Sequence, residues 1–237
     1  MASSTKRLAF GAEADSYDRI RPSYPAEVGR WLAGDAPVRV AELGAGTGLF
    51  TRVLVALGHS VIAIEPDERM RAMLAARTLP IEVLDGAAEA IPLDNESVDA
   101  VIVAQAHWWF DSGRAYPEIA RVLAPGGTFG AVWNLPDPEV EWTAELNAIE
   151  SGLANTQVPE PKPGHRFTPL ERAAFRHGTS QTRETLRDLV QTRASYIAGT
   201  HEHQQRVDDG IARLVSTLPA RFELPYVAVA RRATLLT

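Results

Sequence analysis

Three groups of residues in this chain have types and spacings that could do chemistry. The first is Glu42-Leu-Gly-Ala-Gly-Thr-Gly48, where glycines at alternate positions follow an apolar run and precede the helically spaced Val53, Leu54 and Leu57. A strand, a tight turn and a helix are predicted there. Glycine permits positive φ and lets backbone N–H groups approach a ligand that a Cβ would hold off, so the turn reads as a cradle for a small molecule such as a nucleoside. The second is Glu65, which closes the apolar run Ser60-Val-Ile-Ala-Ile64. A carboxylate at the C-terminal end of the second strand is placed to accept hydrogen bonds from both ribose hydroxyls. The third is Gln105-Ala-His-Trp-Trp-Phe-Asp111, directly after the predicted strand Val98 to Ala104, on the sheet edge where open α/β folds bind ligands. Its hydrogen-bonding tips are unusual for a core strand. Its aromatic faces suit a positively charged group or a flat acceptor.

The glycine spacing narrows the ligand. A dinucleotide fingerprint would place its third glycine where Leu49 stands, and no lysine follows Gly48 as a phosphate-binding P-loop requires.

The bulk numbers set bounds. A length of 237 residues suits one α/β domain with an additional lobe, and 45% hydrophobic with 23% charged residues is ordinary for a globular protein. No apolar run approaches the ~20 residues of a membrane span, and Met1 to Arg7 lacks a signal-peptide core, so a cytoplasmic location is expected. The absence of cysteine excludes disulfides, thiol nucleophiles and thiolate-bound metals. A net charge of −6 argues against nucleic acid as a partner. That charge is uneven, +5 over residues 162–237 and −11 over residues 1–161. The basic third is either a solvated pair of helices or an attraction for an anionic acceptor.

The remaining elements must position these groups. Residues 1–36 read as an N-terminal cap interrupted by Pro22 and Pro25, with Tyr17, Arg21 and Tyr24 able to lie over the cradle. Arg21 suits a ligand carboxylate, because a guanidinium can bind both oxygens. A helix from Ala26 to Leu32 leads into a strand from Val38 to Leu43. Asp67 should cap a helix from Glu68 to Arg77. A third strand is expected at Pro80 to Leu84 and a fifth at Thr128 to Trp133, the latter bringing Trp133 and Asn134 to the same edge as Glu65 and Gln105. Val158 to Gly164 is a proline-rich, extended linker. Beyond it the pattern predicts a strand from Phe175 to Thr182, helices from Glu184 to Ile197 and from Glu202 to Leu218, and a last strand from Phe222 to Arg231. The expected layout is a single domain with a core over residues 37–157 and C-terminal strands over residues 158–237, carrying a helical lid at residues 184–219. His201 and His203 do not face each other on a helix, so no metal is expected.

Taken together, Glu42 to Gly48, Glu65, Gly86-Ala-Ala-Glu89, Gln105 to Asp111 and Leu123-Ala-Pro-Gly-Gly127 resemble, in order and spacing, the motifs of class I S-adenosylmethionine (SAM) dependent methyltransferases. The opening Phe10…Tyr17-Asp18…Arg21-Pro-Ser-Tyr-Pro25, the Gln105–Asp111 element and Trp133-Asn134…Trp142 look like the small-molecule branch that includes trans-aconitate-type enzymes. The resemblance implies an α/β, Rossmann-like, doubly wound seven-stranded sheet, mostly parallel, whose last strand is antiparallel. It implies SAM as cofactor, with S-adenosylhomocysteine as product and with Arg21, Glu42, Gly44, Ala45, Gly46, Glu65, Pro66, Met70, Ala87, Ala88, Glu89, Gln105 and Ala106 around it. Two positions depart from the pattern. Relatives often carry Asp where Ala87 stands, so adenine recognition falls to the backbone near Ala87 and Ala88, or to Asp85 shifted in register. Relatives commonly read Gln-Ala-Phe-His-Trp-Phe, whereas here His107 takes the Phe place and Trp108 the His place.

The function so implied is methyl transfer to a small molecule, anionic in some readings, by in-line displacement, in a monomer or homodimer. Tyr17, Tyr24, His107, Trp108, Trp109, Trp133 and Asn134 would contact the acceptor. His107, with Tyr17 behind it, is the candidate base if the acceptor arrives protonated, and a carboxylate acceptor would need none. One alternative keeps the pocket but alkylates SAM internally or uses it as a cyclase scaffold, and another is a non-catalytic SAM-binding protein.

Overall fold

The alternation of apolar strand segments with amphipathic helices produces a layered α/β domain, seen in a computed structural model that describes residues 21–151, 158 and 160–237. Tyr17 and most of the N-terminal cap lie outside the described residues. The elements run α1 (Ala26–Ala33), β1 (Arg39–Leu43), α2 (Thr51–Ala56), β2 (Ser60–Ile64), α3 (Glu68–Ala75), β3 (Glu82–Leu84), β4 (Val98–Ala104), α4 (Ser112–Val122), β5 (Leu123–Pro136), α5 (Glu141–Ser151), β6 (Glu171–Thr182), α6 (Arg183–Gln191), α7 (Ala194–Ile197), α8 (His201–Thr217) and β7 (Arg221–Thr234). They form one sheet in the order β3-β2-β1-β4-β5-β7-β6. Pairing is parallel from β3 through β5, and β7 runs antiparallel to both β5 and β6. Chain order reverses between β1 and β4, and this switch point opens a crevice at the strands' C-terminal ends.

Both faces of the sheet are covered, as parallel strands require. Neighbours in a strand point to opposite faces, and β1 shows it: Val40 packs with Val28, Leu32 and Leu54 beneath α1 and α2, while Ala41 and Leu43 pack with Tyr116 and Ile119 of α4. A third cluster, Leu146, Leu186, Leu189, Ile211 and Leu214 with Tyr226, ties α5, α6 and α8 to β7. The helical insertion therefore has its own apolar core, anchored on the last strand. Asp67 caps α3 as its position suggests, accepting from the N–H groups of Arg69 and Met70 at 3.0 Å.

Two expectations change. The helix read as continuous from Glu184 to Ile197 breaks after Gln191, because the Thr192 hydroxyl bonds back to the Leu189 carbonyl at 2.7 Å, a local bond that competes with helix propagation. The segment read as a linker is also tied to the rest of the chain. Glu160 pairs with Arg231 at 3.0 Å and Arg172 at 2.7 Å, and the Lys162 N–H donates to the Tyr116 hydroxyl. Among the described residues, no helix is long and apolar enough to cross a membrane and no group of acids and histidines could hold a metal.

The turn from β1 into α2 depends on Gly48, whose φ is +86° and whose absent Cβ would stand 2.5 Å from Leu74 Cδ1. Gly48→Ala is expected to destabilise the fold by about 1–3 kcal/mol, measured by urea denaturation.

Candidate functional site

A cleft of about 400 Å³ opens at the switch point. The sequence-predicted residues Arg21, Tyr24, Gly44, Gly46, Glu65, Pro66, Met70, Ala87, Ala88, Gln105, Ala106, Trp108, Trp109 and Asn134 all line it. Positive φ at Gly44 (+67°) turns the chain sharply, and its missing Cβ, which would come within 2.6 Å of the Ala106 Cβ, lets the loops after β1 and β4 close on each other.

The glycine turn works differently from the expected donor cradle. Gly44 and Ala45 both donate to the Ile64 carbonyl, at 2.8 and 3.3 Å, and Gly48 donates to the Ala45 carbonyl at 2.9 Å. Gly46 donates to Glu65 Oε2 at 2.8 Å. The turn thus meets a ligand with bare Cα faces and a carboxylate, which suits a nucleoside better than a phosphate. Glu65 Oε1 accepts from the Asp67 N–H at 2.9 Å. A carboxylate that lines the cleft in this way can accept hydrogen bonds from ribose hydroxyls.

Several expected contacts lie elsewhere. Ala45 points into a core cluster with Ala63 and Leu74. Glu42 is buried beneath the turn, where Oε2 accepts from the Thr51 hydroxyl at 2.6 Å and so fixes the start of α2. Glu89 Oε1 accepts from the Asp111 N–H at 2.8 Å, holding the entry to α4. These are positioning roles. Asp85 is held by Arg71 at 3.1 Å and is exposed, whereas Ala87 and Ala88 border the cleft, which favours the backbone route to adenine.

His107 and Trp133 are corrected most sharply. Both are buried under the cleft, and neither lines it. The His107 ring packs against Phe110, Tyr116 and Trp133 with centroids 5.7–6.1 Å apart. Its Nε2 lies 2.7 Å from the Tyr116 hydroxyl, whose oxygen accepts from the Lys162 N–H and so has its proton free for Nε2. Burial lowers the His107 pKa and pushes Tyr116 up to about 12, against the Lys162 N–H that pulls it down. With Nε2 on Tyr116, Nδ1 buried without a partner among the described residues and the ring absent from the cleft lining, His107 is not placed to act as base to a ligand there.

Gln105 and Asn134 join the walls. Gln105 adopts φ +60° at the end of β4, and its side-chain amide donates to the Asn134 carbonyl at 2.8 Å. The Asn134 side chain donates to Ser23 O at 3.2 Å and accepts from His177 Nε2 at 2.7 Å. One residue of β5 thereby ties together the cap, β4 and β6.

The far wall was not anticipated. Glu150 of α5, Arg193 and Ser195 around the α6–α7 break, and Tyr226 of β7 line the cleft, with Leu135 and Phe110 nearby. Glu150 Oε2 pairs with Arg193 Nη1 at 2.5 Å, with the Glu150 side chain 5% exposed. Arg21 donates to the Thr192 carbonyl at 3.1 Å. Burial raises the Glu150 pKa, opposed by Arg193 and Arg21, and likewise raises Tyr226. A sequence signal existed: Glu150 follows the fully buried Leu146 by one helical turn, and Arg193 follows Leu189 likewise, placing a charge on each apolar face. Tyr226 carried none. Other arginines of the basic third are engaged on the sheet, Arg176 with Asp137, Arg231 with Glu160 and Arg232 with Glu171.

Fold and cleft together define a class I SAM-dependent methyltransferase. Residues 41–131 match the methyltransferase domain family. The chain is 42% identical over 236 residues to an uncharacterized methyltransferase of Mycobacterium tuberculosis, covering 96% of each. It is 29% identical to the malonyl-[acyl-carrier protein] O-methyltransferase of Methylococcus capsulatus, covering 92% of this chain and 90% of that one. A solved structure from Anaeromyxobacter dehalogenans, provisionally described as a type II methyltransferase, superposes with a TM-score of 0.69 at 25% identity, covering 91% of this chain and 98% of that one. The chain belongs to the methyltransferase family, and SAM is its cofactor.

Burial, with Glu65 adding repulsion and with Thr51 and Arg52 opposing, pushes the Glu42 carboxyl up to about 8. The folded state then holds a proton that the unfolded chain releases near pH 4.5, so stability falls as pH rises between those values and levels off above. Glu42→Gln is expected to match the native chain near pH 5 and exceed it by a few kcal/mol (order of magnitude) near pH 8, in urea denaturation at both values.

Proposed function

We propose that this enzyme methylates a small molecule whose reacting end bears or develops negative charge, with SAM along the Glu65 wall and the acceptor against Glu150, Arg193 and Tyr226. The observation that carries this reading is that one cleft is lined both by the glycine turn with Glu65 and by the charged group Glu150, Arg193 and Tyr226. SAM supplies a methyl on a cationic sulfur and therefore the chemical drive. The chain's part is alignment and exclusion of water, worth ~7–11 kcal/mol in well-oriented reactions. Trp108, Trp109 and Phe110 flank the cleft, where their faces can steady the sulfonium and a flat acceptor. Arg21 and Arg193 set two positive charges against the Glu150 carboxylate, which supports an acceptor carrying one negative charge. The acyl-carrier relative is named an O-methyltransferase, and oxygen is the methylated atom that fits these donors best.

The α6–α8 insertion serves as the lid, since it delivers Arg193 and Ser195 to the cleft from an independent apolar core. The extension of the same cleft to Glu150, Arg193 and Tyr226 argues against a purely SAM-binding role. The altered histidine motif, which motivated internal alkylation of SAM, is accounted for by His107 moving into the core.

Calorimetric titration with SAM and S-adenosylhomocysteine tests the assignment. Micromolar binding is expected, weakened at least ten-fold in Glu65→Ala, roughly 1.4 kcal/mol. An unchanged affinity in that variant would remove the ribose role of Glu65, and no binding of either nucleoside would remove the reading.

A further inference from the structure

Three residues of the acceptor wall each keep one buried polar atom without a hydrogen-bond partner among the described residues: Glu150 Oε1, Arg193 Nε and the Tyr226 hydroxyl. All three residues line the cleft. Buried polar atoms are seldom left unsatisfied, and each costs ~1–3 kcal/mol when they are. Arg193 presents Nη1 to Glu150, which leaves the side of the guanidinium that carries Nε. The Tyr226 hydroxyl lies in the field of Arg193 and makes no hydrogen bond of ordinary geometry to it. The three atoms therefore comprise one acceptor, one fixed donor and one hydroxyl that can do either.

We infer that this triad recognises a weakly acidic hydroxyl on an unsaturated carbon, a phenol or enol, and that Glu150 is the base for its methylation. This inference rests on the methyltransferase reading of the cleft and identifies its acceptor class. The matching is specific. A hydroxyl can donate to Glu150 Oε1 and accept from Arg193 Nε and Tyr226 at the same oxygen. A carboxylate nucleophile satisfies the two donors but has no proton to give Glu150 Oε1, which stays without a partner. An alkyl ammonium satisfies Glu150 and leaves both donors unmet. Flatness follows from the aromatic walls, Tyr24, Trp108, Trp109 and Phe110.

The step balances without another reactant. The acceptor oxygen attacks the methyl carbon as its O–H proton passes to Glu150 Oε1. The new O–CH3 bond forms as the S–CH3 bond breaks, and the electron pair returns to sulfur, giving neutral S-adenosylhomocysteine. Arg193 and Tyr226 hold the charge that develops on oxygen. With His107 engaged beneath the floor and Glu65 held by two backbone N–H groups, Glu150 is the carboxylate in position to act.

The test uses the full chain and has two arms. In the first, 4-nitrophenol is titrated into protein saturated with S-adenosylhomocysteine, at a pH where the free probe is protonated. The bound probe is expected to show the phenolate spectrum, and Tyr226→Phe should return it toward the phenol. That variant removes an oxygen with no partner, so its fold should be unaffected. In the second arm, release of S-adenosylhomocysteine from SAM is followed with phenols of graded acidity and with aliphatic carboxylates. Glu150→Gln should lower kcat ~100-fold or more for weakly acidic phenols, within the range for a lost general base, and less for 4-nitrophenol, which arrives largely ionised. SAM binding should stay within two-fold. Turnover of carboxylates but not phenols, no turnover of any phenol by SAM-binding protein, or an equal loss across the acidity series would overturn the assignment. If Glu150→Gln does not fold, the probe spectrum decides, and a bound probe that stays protonated overturns it. Failure to bind SAM would instead strike the reading beneath it.

Discussion

The site depends first on the carboxylate of Glu65. Its two oxygens take N–H groups from opposite sides, Gly46 of the turn after β1 and Asp67 at the cap of α3, so one side chain pins two adjacent strand ends in register. The consequences spread in both directions. Asp67, held by its own N–H, caps α3 and places Met70 on the cleft. Gly46, held by its N–H, fixes the turn whose bare Cα faces line the cleft. Below them Glu42 grips Thr51 at the start of α2. A second carboxylate nearby raises the proton affinity of a buried one, and Glu65 is among the causes that raise Glu42.

A second constraint sits across the cleft. Gln105 adopts a left-handed conformation that costs a non-glycine residue about 1–3 kcal/mol, and its side chain is secured by the Asn134 carbonyl. Asn134 is in turn bound to His177 and to the cap at Ser23, and His177 stacks on Tyr226 at 5.6 Å. Backbone strain at the rim is thus braced by a chain of contacts that ends at the acceptor wall. Two hydrogen bonds and one ring stack join Gln105 at the end of β4 to Tyr226 of β7.

Much of this was legible from the sequence because periodicity and turn chemistry are local. β4 occupies the predicted span, the acid at the end of β2 lines the cleft, and Asp67 caps its helix. What failed was direction. Composition identified Gln105 to Asp111 as a site, but not which side chains turn down. A short 3-10 turn at His107–Trp109 sends His107 into the core and Trp108 outward, an inversion no linear pattern encodes. Trp133 misled likewise, since in a strand its alternation with Asn134 gives only one of them the cleft. The glycine turn was located correctly, yet its donors face inward, because Ile64 offers its carbonyl to both Gly44 and Ala45. The acceptor wall stayed hidden because its members come from α5, the α6–α7 break and β7, and only folding brings them together.

That wall also explains why a buried ion pair persists there. Removing two charges from water is costly, and well-packed apolar side chains of similar volume often serve a core better. Glu150 and Arg193 each follow a cluster residue, Leu146 and Leu189, by four positions, where such a replacement would extend the apolar cluster of the helical insertion. Pairing offsets only part of the cost, since one oxygen, one nitrogen and the adjoining hydroxyl still have no partner among the described residues. A purely structural bridge would satisfy those atoms internally. Their residues all line the cleft, so a ligand bound there that completed the network would also tie the helical insertion to β7 through the same hydrogen bonds. The break between α6 and α7 then has a physical purpose: a continuous helix would carry Arg193 onward along its axis, whereas ending it at Thr192 lets the guanidinium reach across to α5.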